Sequence, residues 1–187
     1  MTDLITYTGS VLDVANKSGK SIAETFLSCD VITIIDTSGS MGAQDDGNAL
    51  TRYERACHEL EELQAHLQGR IAVISFSDQA MFCPGGKPLY LGGGTHMANA
   101  LQFTKVADIP GVRFILISDG EPYDEAETLK IAAGYKNKID TIYIGAEERP
   151  TGRDFLTKLS RLTGGRSVNI YKAKELSAGI ERLLLTA

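Results

Sequence analysis

The sequence predicts one three-layer α/β domain, with a mostly parallel central sheet and helices on both faces. Three observations support this fold class. Apolar, β-branched runs of strand length recur along the chain, amphipathic segments with helical spacing separate them, and glycine and polar turn residues lie at the boundaries. A chain of 187 residues also falls within the usual range of a single domain and can bury a sizeable core.

Most of the predicted strands are continuous apolar runs, which is typical of parallel strands buried on both faces. The polar pair Ser77 and Asp78 offers a turn directly before the segment 80–83. This turn predicts a hairpin, so that the strand at 80–83 is antiparallel and lies at the edge of the sheet. The predicted strands are 30–36, 70–76, 80–83, 112–118, 139–144 and 167–171.

Amphipathic segments between these strands predict the helices. In the first of them, apolar residues recur at helical spacing from Tyr53 to Leu67, and Gly69 follows as a stop signal. The last of them is predicted to close the domain. The predicted helices are 51–67, 98–106, 125–135, 154–162 and 174–185.

Residues 1–28 precede the alternating pattern and are predicted to form an N-terminal extension to a domain at 29–187. The extension is expected to contain a short hairpin at about residues 6–14 and a helix at 21–27. No tandem repeat, low-complexity tract or proline-rich linker divides the chain.

Composition excludes several classes of partner. The net charge of −5 and the absence of a basic run argue against binding to nucleic acid or to an anionic membrane surface. The apolar runs are too short to span a bilayer, and the first residues lack the pattern of a signal peptide, so we expect a cytoplasmic protein. Cys29, Cys57 and Cys83 are widely spaced and are expected to be reduced, buried thiols.

Polar motifs directly follow two of the predicted strands. Asp36, Ser38 and Ser40 alternate after the first strand, Asp119 follows the strand at 112–118, and Thr95 ends a glycine-rich loop. In doubly wound sheets the functional crevice lies beyond the carboxyl ends of the strands, so these side chains are expected to converge there. Hydroxyl and carboxylate oxygens are ligands for hard cations such as Mg²⁺. The sequence therefore predicts a divalent-metal site at this edge.

These motifs closely resemble those of the von Willebrand factor A (VWA) domain family and its metal-ion-dependent adhesion site. The resemblance rests on Asp-x-Ser-x-Ser at 36–40, the glycine-led Thr95 and Ile-Ser-Asp-Gly at 117–120. It covers about residues 30–185 and implies a Rossmann-like α/β fold. It points to small, stand-alone VWA proteins of bacteria or phages.

The resemblance also implies a role for each motif position. Ser38 and Ser40 would coordinate the metal directly, Thr95 directly or through water, and Asp36 and Asp119 mainly through bound water and hydrogen bonds. Mg²⁺ is the expected ion, with Mn²⁺ and Ca²⁺ as alternatives. A partner protein would complete the coordination with a Glu or Asp carboxylate, so that the module is non-enzymatic and serves adhesion or assembly of a multiprotein complex.

Simpler interpretations of the same residues remain open. The segment 36–40 can be a turn that caps the following helix, and Thr95 can be the N-cap of a helix that starts near His96. A site of this kind can also be inactive, which would make the protein a structural subunit. Met41, Glu121 and Tyr123 are predicted to lie on the binding surface. His96 is expected to be a plain exposed loop residue, with contact to a partner as the alternative.

The enzymatic alternative is Mg²⁺-dependent phosphoryl transfer of the haloacid-dehalogenase type, with Asp36 as nucleophile and Thr95, Asp119 and Asp124 in support. That family requires a second aspartate two residues after the nucleophile, where this chain has Ser38. No lysine lies convincingly beside the other motifs. The sequence therefore favours the binding module.

Overall fold

The structure is a computed structural model that describes residues 5–44, 50–120, 122–145, 150–170 and 180. The strands are β1 (Val31–Asp36), β2 (Ile71–Phe76), β3 (Ala80–Phe82), β4 (Arg113–Ser118), β5 (Ile139–Ile144) and β6 (Ser167–Ile170). The helices are α1 (Val11–Ser18), α2 (Ile22–Leu27), α3 (Arg52–His66), α4 (Met97–Thr104), α5 (Glu125–Ala133) and α6 (Pro150–Leu162).

The described strands form one six-stranded sheet in the order β3-β2-β1-β4-β5-β6. All neighbouring pairs are parallel except β2 and β3, which are antiparallel. The order reverses direction between β1 and β4, which makes this pair the switch point of a doubly wound sheet. The predicted three-layer α/β class with one antiparallel edge strand is therefore confirmed.

Hydrophobic cores cover both faces of the sheet. Ile32 and Ile34 of β1 belong to one buried cluster, whereas Val31 and Ile35 belong to the other. Successive side chains of a strand point to opposite faces, so a strand packed on both sides needs apolar residues at every position. This requirement explains the continuous apolar runs in the sequence.

The start of α3 is set by a capping box. The Thr51 hydroxyl accepts the Glu54 backbone N–H at 3.1 Å, and the Glu54 carboxylate accepts the Thr51 N–H at 2.8 Å. These bonds satisfy backbone donors that the first turn of a helix leaves unpaired. The cap therefore fixes Arg52 as the first residue of the helix.

The N-terminal region differs from its prediction. The hairpin at about residues 6–14 is wrong, because α1 begins at Val11 after an N-cap by Ser10. The helix at 21–27 is confirmed as α2. Val11 is buried in the same core cluster as the sheet residues. The division between residues 1–28 and 29–187 stays a prediction.

The other elements follow their predictions, with shifted ends. α6 begins at Pro150 rather than at residue 154, since proline is well suited to the first turn of a helix. The closing helix predicted at 174–185 lies outside the described residues except for Ile180, which is helical and fully buried.

The three cysteines are free and buried, as predicted. Among the helices that the structure describes, none has the length and apolar character needed to cross a membrane.

We expect Leu60→Ala to lower the free energy of unfolding by about 2–5 kcal/mol, because Leu60 is fully buried on the core-facing side of α3 and its truncation leaves a cavity. Leu27→Ala is the matched control: Leu27 is 71% exposed, and its loss should change stability by no more than about 0.5 kcal/mol. Urea denaturation of both variants checks the prediction. Equal losses would contradict this description of the core.

Candidate metal centre

The motif residues lie where β1 and β4 end, at the switch point of the sheet. The glycine-rich loop before α4 packs onto the loop after β1 through two backbone hydrogen bonds. Gly92 donates its N–H to Thr37 O, and Gly39 donates its N–H to Gly93 O, both at 3.0 Å. Gly92 and Gly93 have positive φ angles of 65° and 74°, a conformation that favours glycine. Three loops therefore meet at one edge, as predicted.

Asp36 is fully buried and holds the ends of the two strands together. One carboxylate oxygen accepts the Ser38 backbone N–H at 2.8 Å, and the other accepts the Ser118 hydroxyl at 2.6 Å. Burial raises the pKa of Asp36 from 3.8 to about 6; the bonds from Ser118 and Ser38 oppose this rise, and the charge of Asp119 adds to it. Asp36 is thus a fixed negative group beneath the site.

Two serine hydroxyls lie side by side above it. Ser38 Oγ and Ser40 Oγ are 3.2 Å apart, and Ser40 Oγ donates a hydrogen bond of 2.8 Å to Asp119 Oδ1. Ser38 is 2% exposed, whereas Ser40 is exposed, so the pair extends from the interior to the surface. The structure therefore brings Asp36, Ser38, Ser40 and Asp119 into one connected group of oxygens.

The capping interpretation is not supported for Ser38 or Thr95. Ser38 precedes a short 3₁₀ turn at Gly39–Gly42, but its side chain makes no capping hydrogen bond. The N-cap of α4 is His96, not Thr95, and it too makes no side-chain cap. The hydroxyls of Ser38 and Thr95 are not used to start a helix.

Thr95 contacts the segment after the Asp119 motif through its backbone. Its carbonyl accepts the N–H of Tyr123 at 3.1 Å, and Tyr123 follows the Asp119 loop. The side chain is partly exposed, and its hydroxyl makes no hydrogen bond within the residues that the structure describes. Thr95 therefore offers an available hydroxyl beside the segment that follows Asp119.

Arg52 is a residue of this site that the sequence did not reveal. Its Nη1 donates to Asp119 Oδ2 at 2.5 Å, and the residue is only 5% exposed. Asp119 is thus held from both sides, by Ser40 through one oxygen and by Arg52 through the other. The available signal was the position of Arg52 beside a predicted helix start near the motif, but an arginine there usually faces solvent.

The donor set fits a hard divalent cation. It consists of oxygens from hydroxyls and carboxylates, the ligand type that Mg²⁺ and Mn²⁺ accept. The described residues contain no cluster of three or more His, Cys, Asp or Glu side chains suited to a metal. The oxygens that lie together here are the hydroxyls of Ser38 and Ser40 and the carboxylate of Asp119. Such a site leaves positions for water or for an outside ligand.

The residues around the site are only partly as predicted. Tyr123 is 72% exposed, and its ring lies 4.9 Å from that of the exposed His96. Met41 is fully buried, so its predicted place on the surface is wrong; the 3₁₀ turn directs this side chain into the core instead. Glu121 lies outside the described residues. The rings of His96 and Tyr123 therefore form a pair next to Thr95.

Comparisons with known proteins identify the fold. No family model matches the chain, and no curated protein matches it. Among solved structures, an aerotolerance-related membrane protein from Bacteroides fragilis is similar with a TM-score of 0.67 and 16% identity, over 85% of this chain and 100% of the other.

Two further solved structures have a similar fold. A von Willebrand factor type A structure from Catenulispora acidiphila has a TM-score of 0.60 and 20% identity, over 83% of this chain and 42% of that one. The manganese-loaded TRAP protein of Plasmodium vivax has a TM-score of 0.56 and 15% identity, over 84% of this chain and 74% of that one. The chain therefore has the Rossmann-like α/β fold of VWA domains.

The buried Asp36 predicts a specific pH dependence of the metal-free protein in chelator. Its pKa is about 6 in the folded state against 3.8 ordinarily, so from about pH 4 to pH 6 the folded protein binds more protons than the unfolded one. The contribution of this group to the free energy of unfolding should therefore fall as pH rises through that window, by on the order of 3 kcal/mol.

Urea denaturation of the wild type and of Asp36→Asn across this window isolates the contribution, because other titrating groups are common to both proteins. The wild type should lose stability relative to the variant as pH rises. If the difference in the free energy of unfolding between the two proteins stays constant with pH, the raised pKa of Asp36 is contradicted.

Proposed function

We propose that the protein is a non-enzymatic, metal-dependent protein-binding module. In this proposal Ser38 and Ser40 hold Mg²⁺ directly, Thr95 contributes its hydroxyl directly or through water, and Asp36 and Asp119 act mainly through water and hydrogen bonds. A Glu or Asp carboxylate of a partner protein completes the coordination. Mn²⁺ and Ca²⁺ are the alternative ions.

The observation that carries the proposal is the pair of serine hydroxyls 3.2 Å apart, with Asp119 Oδ1 bound to the outer one. Neutral hydroxyls supply lone pairs without cancelling the charge of an ion. When bound, the cation would supply a positive charge and an open coordination position, both of which attract a carboxylate. Because Ser40 is exposed, the outer hydroxyl can be reached from solvent.

The remaining motif residues keep these hydroxyls in place. Asp36 binds the backbone of Ser38 and the side chain of Ser118, so it fixes the turn on which both serines lie. The fold is also that of the manganese-loaded TRAP protein, which supports a divalent metal as the ion. Adhesion or the assembly of a multiprotein complex, in the cytoplasm, is the role that we propose for such binding.

The geometry of Asp36 disfavours the phosphoryl-transfer alternative. An aspartate nucleophile must present one free oxygen to the phosphorus atom. Both oxygens of Asp36 accept hydrogen bonds from the protein, and the residue is fully buried. Asp36 is therefore placed to position the loop rather than to attack a substrate.

Metal binding tests the proposal directly. We expect Ser40→Ala to weaken Mn²⁺ or Mg²⁺ binding by about 10- to 100-fold in calorimetric titration, because it removes a direct ligand and the hydrogen bond to Asp119. Ser28→Ala, a change at an exposed serine at the end of α2, is the matched control and should bind as the wild type does. Absence of binding by the wild type would make the site an inactive one and refute the proposal.

Affinity capture identifies the partner. A partner should be retained with Mg²⁺, released by chelator, and lost with Ser40→Ala but not with Ser28→Ala. A partner that is retained equally with Mg²⁺, with chelator, by Ser40→Ala and by Ser28→Ala would show that binding does not use the metal.

A phosphatase assay separates the two function classes. We expect no Mg²⁺-dependent hydrolysis of a generic aryl phosphate, since Asp36 has no accessible oxygen. Turnover by the wild type that Asp36→Asn abolishes would favour the enzyme over the binding module. Hydrolysis that persists in Asp36→Asn would indicate a contaminating enzyme.

A further inference from the structure

The Arg52–Asp119 ion pair is an unusual arrangement for a cation site. The side chains of Arg52 and Asp119 are 6% and 0% exposed, so both charges are largely removed from water. A buried pair of this kind seldom adds stability over apolar residues of the same size, because desolvation offsets the attraction. Its presence therefore calls for a reason other than stability.

The position of Arg52 adds a second cost. Arg52 is the first residue of α3, where the helix dipole presents its positive end. A cation there is disfavoured, and Asp or Glu is the usual choice. The capping box of Thr51 and Glu54 nevertheless sets the helix start at Arg52, and the Arg52 backbone N–H donates to Ala43 O at 2.9 Å. The fold thus places a fixed positive charge beside the site.

A single carboxylate separates this charge from the serine hydroxyls. Asp119 Oδ2 accepts from Arg52, and Asp119 Oδ1 accepts from Ser40 at 2.8 Å. At this short range, and with little water between, the guanidinium repels any cation near Ser40 and attracts any anion there.

We propose that Arg52 couples metal binding to carboxylate binding, so that the metal is held weakly until an anionic ligand arrives. This inference rests on the proposed function. Asp36, Asp119 and Arg52 together carry a charge of −1; a divalent ion changes it to +1, and a ligand carboxylate then brings it to zero. Without Arg52 the charge is −2 in the empty site, zero with the divalent ion bound, and −1 once the carboxylate has also bound.

The net charges of the site with and without Arg52 have opposite consequences for the binding of the ion and of the carboxylate. With Arg52, the empty site attracts the ion less, but the loaded site attracts a carboxylate strongly. Without it, the ion alone neutralises the site and the carboxylate adds an excess negative charge. Because coupling between two ligands is reciprocal, the carboxylate must then raise metal affinity more in the wild type than in a variant that lacks the charge.

Calorimetric titration with Mn²⁺, in the absence and presence of acetate as the carboxylate probe, measures this coupling. We expect Arg52→Gln to bind Mn²⁺ about tenfold or more tightly without acetate and to lose the gain in affinity that acetate gives the wild type. Arg52→Lys keeps the charge and should keep the acetate effect. Arg70→Gln removes an arginine from an exposed ion pair with Asp30 and is the matched control.

Thermal unfolding in chelator supplies a readout that is independent of metal affinity. Removal of Arg52 takes away the positive charge that pairs with the buried Asp119, so Arg52→Gln should unfold at a lower temperature than Arg70→Gln. Added Mn²⁺ should restore most of the loss. Arg52→Met is the second charge-free variant, with an unbranched stem that fills the space of the arginine stem.

The results separate the two proposals. Unchanged or weaker Mn²⁺ binding by both charge-free variants, with the acetate effect intact, would overturn the coupling and leave Arg52 as a residue that only positions Asp119. Absence of Mn²⁺ binding by the wild type would instead overturn the proposed function itself.

Discussion

The hydrogen bond from Ser118 to the buried carboxylate of Asp36 is the interaction on which the rest of the site depends. It joins the last residue of β4 to the last residue of β1, 2.6 Å apart between the two oxygens, at the only place where the sheet order of the described strands reverses. Because Asp36 also binds the backbone of Ser38, the position of the serine turn follows from the alignment of the two strands. The geometry of the surface is therefore set by the core.

Burial explains why the central strands and the position of the motif residues could be predicted from the sequence. Strands covered on both faces must be apolar at every position, so β1 and β4 were visible as continuous runs, and the polar residues that end them were conspicuous. Parallel strands bring such ends to one edge. The association of Asp36, Ser38, Ser40 and Asp119 followed from these two facts, whereas their roles as metal ligands remain predictions.

The features that could not be predicted from the sequence involve residues that fit more than one structure. Gly9 and Ser10 suit either a hairpin turn or a helix start, and only the packing of Val11 into the core decides for the helix. A methionine after a polar loop gives no sign of its direction, yet Met41 is buried. Arg52 has the sequence context of an exposed helical residue, and only its tertiary contact with Asp119 reveals its burial.

The hydrogen bond between the backbone of Arg52 and Ala43 closes the segment that connects the serine turn to α3. With both ends tied, the length of chain between them is free to change without moving the arginine or the serines, since the entropy of closing a loop rises slowly with its length. The serine turn and the start of α3 are therefore held at a fixed separation by the backbone itself.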